Sequence, residues 1–142
     1  MKIRREYGPY TLVRRLGQGG HGQVWLADGP QGQVAMKIAG RGGLTLEAQL
    51  LQIASHPGLV SIHESARDGS WMALEYIEGT TFDQWSPGQP MAAILEAARQ
   101  LAEVLSHLHE QGVIHGDLSP RNIMVEAATG RIRVIDLGTA AM

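Results

Sequence analysis

The sequence predicts an α+β fold: an antiparallel, β-rich front part of about 75 residues, a hinge, and a back part of one long helix, a loop and a β-hairpin. Three observations carry this. Short β-branched and apolar runs alternate with glycine turns through the first half of the chain. Met91–Gln111 is rich in alanine and leucine and holds no internal Gly or Pro, so it reads as one uninterrupted helix. The last third returns to two short apolar runs around a turn at Thr129-Gly130.

Taken in order, Tyr10–Leu16 and Gln23–Ala27 read as strands flanking Gly17-Gln18-Gly19-Gly20-His21-Gly22, the pattern of an antiparallel hairpin. Asp28–Gly32 is a second turn and Gln33–Ala39 a third strand. Gly40–Gly43 breaks the chain. Leu44–Ser55, with apolar residues at 46, 50, 51, 53 and 54, suits a short amphipathic helix that ends at His56-Pro57-Gly58. Leu59–Glu64 and Ser70–Ile77 are two further strands joined at Arg67-Asp68-Gly69. Glu78-Gly79-Thr80 and Ser86-Pro87-Gly88-Gln89-Pro90 punctuate the middle, and Gly112 stops the long helix. The expected division is therefore 1–77 and 78–142.

Composition narrows the function. A net charge of −2 gives no basic footprint for nucleic acid or an anionic membrane. The absence of cysteine excludes disulfides, a thiol nucleophile and zinc–thiolate sites. Met1–Glu6 leads into no apolar run, so no signal peptide is expected. No stretch approaches the ~20 apolar residues of a membrane span, and a cytoplasmic location is expected.

Two features point to phosphate chemistry. Gly17-x-Gly19-x-x-Gly22 is a glycine loop, whose backbone N–H groups can approach phosphate oxygens without interference from a Cβ. A dinucleotide-binding loop runs from strand into helix, whereas here Val24-Trp25-Leu26-Ala27 continues as strand. The plain alternative is a flexible hairpin tip. Lys37 is the second feature. Only two lysines stand against ten arginines, and this one lies inside the apolar strand Val34-Ala35-Met36-Lys37-Ile38. It is either a snorkelling side chain or a compact cation placed for a crowded phosphate site.

Further on, His115-Gly116-Asp117-Leu118-Ser119-Pro120-Arg121-Asn122 precedes the apolar run Ile123-Met124-Val125, and Val134-Ile135-Asp136-Leu137-Gly138 follows. Phosphoryl transfer needs a carboxylate to orient the attacking hydroxyl and cations to neutralise charge. Singly, each aspartate is as well explained as a cap or turn residue.

Jointly, the glycine loop, V-A-M-K, Glu47 with His56-Pro57-Gly58-Leu59-Val60, D-x-x-x-x-N and D-x-G resemble a protein kinase catalytic domain of the eukaryotic-like, bacterial serine/threonine type. The resemblance runs from about Tyr10 to Leu137. It implies a kinase-like α+β fold: an N-terminal antiparallel lobe with one helix, a hinge, and a partial C-terminal lobe. It implies ATP and Mg2+ as cofactors and a protein Ser/Thr hydroxyl as acceptor. By the same resemblance Lys37 meets the α- and β-phosphates and Glu47 holds it, while Asp117 is the catalytic carboxylate. Gly17, Gly19 and Gly22 cover the phosphates; Val24, Ala35 and Met124 enclose adenine. Leu74 is the gatekeeper, Glu75 and Ile77 offer backbone groups to the adenine edge, and Asn122 and Asp136 hold magnesium. His115 is expected to pack and hydrogen-bond rather than act as a base.

Departures from the family pattern shape the alternatives. Gly116 stands where loop-regulated kinases carry arginine, and Ser119 where serine/threonine kinases carry a lysine near the γ-phosphate. The position of Arg121 resembles that of an arginine in tyrosine kinases, Leu137 replaces phenylalanine, and no ribose carboxylate is evident after Gly79. Only ten residues separate Lys37 from Glu47, which implies a shortened helix. Met142 follows soon after Gly138, so a domain truncated after D-x-G is expected. The long helix is apolar more widely than the ~100° stripe of a one-sided helix, so a partner or a second copy is expected to cover it. Three functions stay open: a minimal kinase, a nucleotide-binding regulatory module without transfer, and a small-molecule kinase resembling the aminoglycoside phosphotransferases.

Overall fold

The structure, a computed structural model, describes residues 2–19, 22–116 and 118–137. It divides into two compact units: Met1–Gln49 with Ser61–Tyr76, and Leu50–Val60 with Ile77–Met142.

The first unit is built on β1 (Glu6–Tyr7), β2 (Tyr10–Gly19), β3 (Gly22–Gly29), β4 (Gly32–Ala39), β5 (Ile62–Ser65) and β6 (Trp71–Glu75). They form one antiparallel sheet in the order β1-β2-β3-β4-β6-β5. β2 and β3 run to Gly19 and Gly22, further than the side-chain pattern predicts, because backbone pairing continues through glycine. Strand alternation sorts the residues into two faces. Ala27, Val34, Met36, Ile38, Trp71 and Ala73 share a core with Tyr7 and Tyr10, and Trp25 packs beside it. Tyr10 meets Trp71 edge-on at 5.8 Å, and its hydroxyl donates to Glu64 Oε2 at 2.9 Å, which satisfies the polar tip of a buried ring.

Helix α1 (Thr45–Ile53) is shorter than the predicted Leu44–Ser55. It opens on Leu44, whose N–H donates to the Gly69 carbonyl and whose own carbonyl accepts from Ala48. Its buried positions include Glu47, Ala48, Leu50 and Leu51, with Ala54 buried just past its end, whereas Leu46 and Ile53 are exposed.

In the second unit β7 (Gly79–Thr81), β8 (Ile123–Glu126) and β9 (Ile132–Val134) form an antiparallel sheet in that order. β7 begins in what the sequence marks only as punctuation, and the short α2 (Phe82–Trp85) follows it directly. β7 exists through its pairing with β8, Gly79 opposite Glu126 and Thr81 opposite Met124. The predicted strand Leu59–Glu64 forms from Ile62 on, as β5, whereas Leu59 bridges Val134 of β9 in parallel.

Helix α3 (Met91–Glu110) matches the predicted long helix. It buries Ala97, Val104 and Leu108. Its outer face carries Arg99 between Glu96 and Glu103. The helix ends as a Schellman motif: Gly112 at φ 77° donates to the His109 carbonyl at 3.0 Å and Val113 to the Leu108 carbonyl at 2.8 Å, with Val113 packed inside. Along α3, a cleft of about 250 Å3 is lined by Phe82, Ile94, Ala97, Leu101, Pro120 and Ile132 among others. No helix among the described residues is long and apolar enough to cross a membrane.

Candidate nucleotide and metal site

On the first unit, pairing register places the predicted nucleotide residues. Gly17 lies opposite Val24, and Gly19 opposite Gly22. Val24 lies opposite Lys37, Leu26 opposite Ala35, Ala35 opposite Leu74, and Lys37 opposite Met72. Directly paired residues share a face, so Val24, Ala35, Lys37 and Leu74 line the face opposite the Trp71 core. Parity thus gathers the candidate residues on one face, which also buries Leu26, Met72 and Leu74.

The glycines separate by what surrounds them. Gly22 has φ 129°, and a methyl group there would overlap the Ile38 carbonyl, so the hairpin itself demands glycine. At Gly17 no described atom lies within 4 Å of the place a methyl group would take, so packing makes no such demand. Its lack of a side chain leaves room for a ligand. Gly20 and His21 lie outside the described residues.

Lys37 and Glu47 form the centre of this part. Lys37 Nζ donates to Glu47 Oε1 at 2.8 Å, with side chains 8% and 4% exposed. Burial of two charges is costly unless they are paired, and pairing here orients the ammonium on the strand face shared with Val24 and Ala35. Glu75, at the end of β6, donates its N–H to the Ser61 carbonyl at 2.8 Å and accepts from the Ser61 N–H through its carboxylate at 3.3 Å.

On the second unit, Pro120–Asn122 form one 3-10 turn, with the Asn122 N–H donating to the Ser119 carbonyl at 2.9 Å. The Asn122 carbonyl accepts from the Ile135 N–H at 2.9 Å, and His115 Nε2 lies 2.5 Å from the Asp136 carbonyl. These two bonds bring Asn122 and Asp136 onto neighbouring stretches of chain. Leu137 is buried beside them. Met124 sits on β8 opposite Thr81 and Arg133, and Ile77 is buried. Asp117 and Gly138 lie outside the described residues.

An amide oxygen and a carboxylate are hard ligands of the kind magnesium takes together with phosphate oxygens and water. Among the described residues no group of three or more His, Asp or Glu forms a metal cage by itself. His107 and His109, two apart on α3, diverge: His107 faces His56 at 5.0 Å between ring centroids, and His109 is exposed. The His56–His107 contact was not legible in the sequence, since no spacing rule joins a turn to a distant helix.

The family model of the protein kinase domain matches residues 10–142, and the chain belongs to that family. It is 32% identical to serine/threonine-protein kinase pkn2 of Myxococcus xanthus, over 95% of this chain and 18% of that protein. Serine/threonine-protein kinase PknF of Mycobacterium tuberculosis is 30% identical, over 94% of this chain and 33% of the relative. Serine/threonine-protein kinase YabT of Bacillus subtilis is 34% identical, over 91% and 42%. The chain thus spans less than half the length of these relatives.

Proposed function

We propose that this chain binds Mg-ATP and transfers the γ-phosphoryl group to a serine or threonine hydroxyl of a protein. The observation that supports this most is the buried Lys37–Glu47 pair on the strand face of Val24 and Ala35. A lysine held by a helix carboxylate is the device that steadies α- and β-phosphates in protein kinases. The similarity to proteins named serine/threonine-protein kinases supports the acceptor class.

In this mechanism the backbone of Gly17, Gly19 and Gly22 covers the phosphates, and Val24, Ala35 and Met124 enclose adenine, with Glu75 and Ile77 offering backbone groups to its edge. Asp117 orients the acceptor hydroxyl and takes its proton as the oxygen–phosphorus bond forms. The bond between the γ-phosphorus and the bridging oxygen breaks, and ADP leaves. Asn122 and Asp136 would hold the magnesium, which when bound neutralises charge on the phosphates.

Purified protein incubated with γ-labelled Mg-ATP, beside Asp117→Asn, tests this. Label should enter protein only with the parent, while both forms bind ATP. Equal binding without transfer by either points to a nucleotide-binding module. Normal transfer by Asp117→Asn would sink the mechanism.

A further inference from the structure

The turn at His56-Pro57-Gly58 has no part in the chemistry above, yet it holds the strand that leads to Asp136. The Gly58 N–H donates to His56 Nδ1 at 2.9 Å, an i to i+2 bond of the kind an asparagine side chain makes in a turn. The Gly58 carbonyl accepts from the Val134 N–H at 2.7 Å, and the Val60 N–H donates to the Val134 carbonyl at 2.9 Å. Arg133 Nη2 adds a bond to the Leu59 carbonyl at 3.3 Å. Gly58 is buried against Val104 of α3, where a methyl group would overlap that side chain. Asp136 lies two residues past Val134.

The Gly58 bond selects a protonation state. Nδ1 accepts only while it carries no proton, so the neutral ring bears its hydrogen on Nε2. The groups facing His56 are His107 and Glu103 on α3 and Arg131 ahead of β9. Burial is the main influence lowering its pKa below 6.5, with His107 next and Arg131 adding to it, against Glu103. The His107 ring is tilted 44° to that of His56, and its buried Nε2 finds no hydrogen-bond partner among the described residues. A proton on His56 Nδ1 would aim a donor at the Gly58 donor and place a cation beside His107 and Arg131.

We propose that His56 is a positioning residue for the end of β9 that carries Asp136, acting through Gly58 and Val134, and that this turn is a latch opened by a proton on Nδ1. The consequence for metal binding rests on the proposed role of Asp136; the latch itself does not.

Amide hydrogen exchange on the full chain, at about pH 7.5 and about pH 5.5, brackets the ordinary histidine value. Corrected for intrinsic chemistry, protection of the Val60 and Val134 amides should fall about tenfold at the lower pH, the weight of one hydrogen bond. His56→Asn keeps an acceptor two residues before the Gly58 N–H without titrating, so its protection should stay level. His56→Ala should be weakly protected at both values. The same fall in the parent and in His56→Asn overturns the latch, and this comparison decides even where His56→Ala fails to fold.

A second readout is affinity for a fluorescent ATP derivative with Mn2+ against EDTA. The Mn2+-dependent part should weaken at low pH more in the parent than in His56→Asn. If it vanishes in Asp136→Asn yet ignores His56, His56 is structural only and the positioning role falls. If it ignores Asp136→Asn, the metal role falls instead.

Discussion

Lys37 Nζ and Glu47 Oε1 stand 2.8 Å apart in the first unit, both buried, joining a strand to a helix only ten residues on in the chain. Removing one member of a buried pair takes the close opposite charge from the other. Glu47→Ala should therefore cost about 3 kcal/mol or more of folding stability, and Glu47→Gln, which retains an acceptor and the volume, distinctly less. Urea denaturation of the two variants decides it; equal, small losses would mean that the pair carries no such strain.

Gly17 and Gly22 should respond oppositely to the same change. Gly22→Ala forces a methyl group onto the Ile38 carbonyl at a positive φ and should lower stability by about 2 kcal/mol. Gly17→Ala meets no described atom, so the melting temperature should hold while ATP affinity drops. Thermal melts with and without ATP separate the two effects. Unchanged affinity in Gly17→Ala would remove that residue from the phosphate site.

The pH dependence of stability should have an edge at each end. Burial above all, helped by Glu64, pushes the Tyr10 phenol up to about 12 from 10.0. The folded state thus holds a proton that the unfolded chain releases first. This stability is complete below pH 10.0 and is lost as pH rises through about 12. At the acid end His56 is held below 6.5, so the unfolded chain takes up its proton first. That contribution is present above 6.5 and is lost as pH falls through the lowered value. Denaturation midpoints across pH should lose the alkaline edge in Tyr10→Phe and the acid edge in His56→Asn.

Gly58 and Val104 should couple. Gly58→Ala overpacks the contact and should cost about 1–3 kcal/mol. Val104→Ala alone opens a cavity, but added to Gly58→Ala it makes room for the new methyl group. The double variant should lose less than the sum of the two single losses, a non-additivity measured by a denaturation cycle.

Much of this is legible from residues alone. β2, β3 and β4 are announced by β-branched runs between glycine turns, and α3 by an unbroken alanine–leucine stretch stopped at Gly112. The candidate site residues are likewise named from residue types at characteristic spacings. β7 was not, because three residues of Gly-Thr-Thr have no periodicity and become a strand only against β8. Nor was the placement of Leu59 and Val60, whose apolar character suits any strand edge.

By itself, then, the sequence determined the elements whose signals are local: side-chain alternation, glycine turns and helix stops act over a few residues and are written where they act. The tertiary structure alone decided which face of α1 is buried, which glycine the hairpin requires, and that Gly58–Val60 lies along β9. Those choices depend on which distant backbone groups and charges must be satisfied when water is excluded. Glu47 shows the difference most clearly. Its pairing with Lys37 is expected from the resemblance, whereas its burial on one face with Leu50 and Leu51 is seen only in the fold.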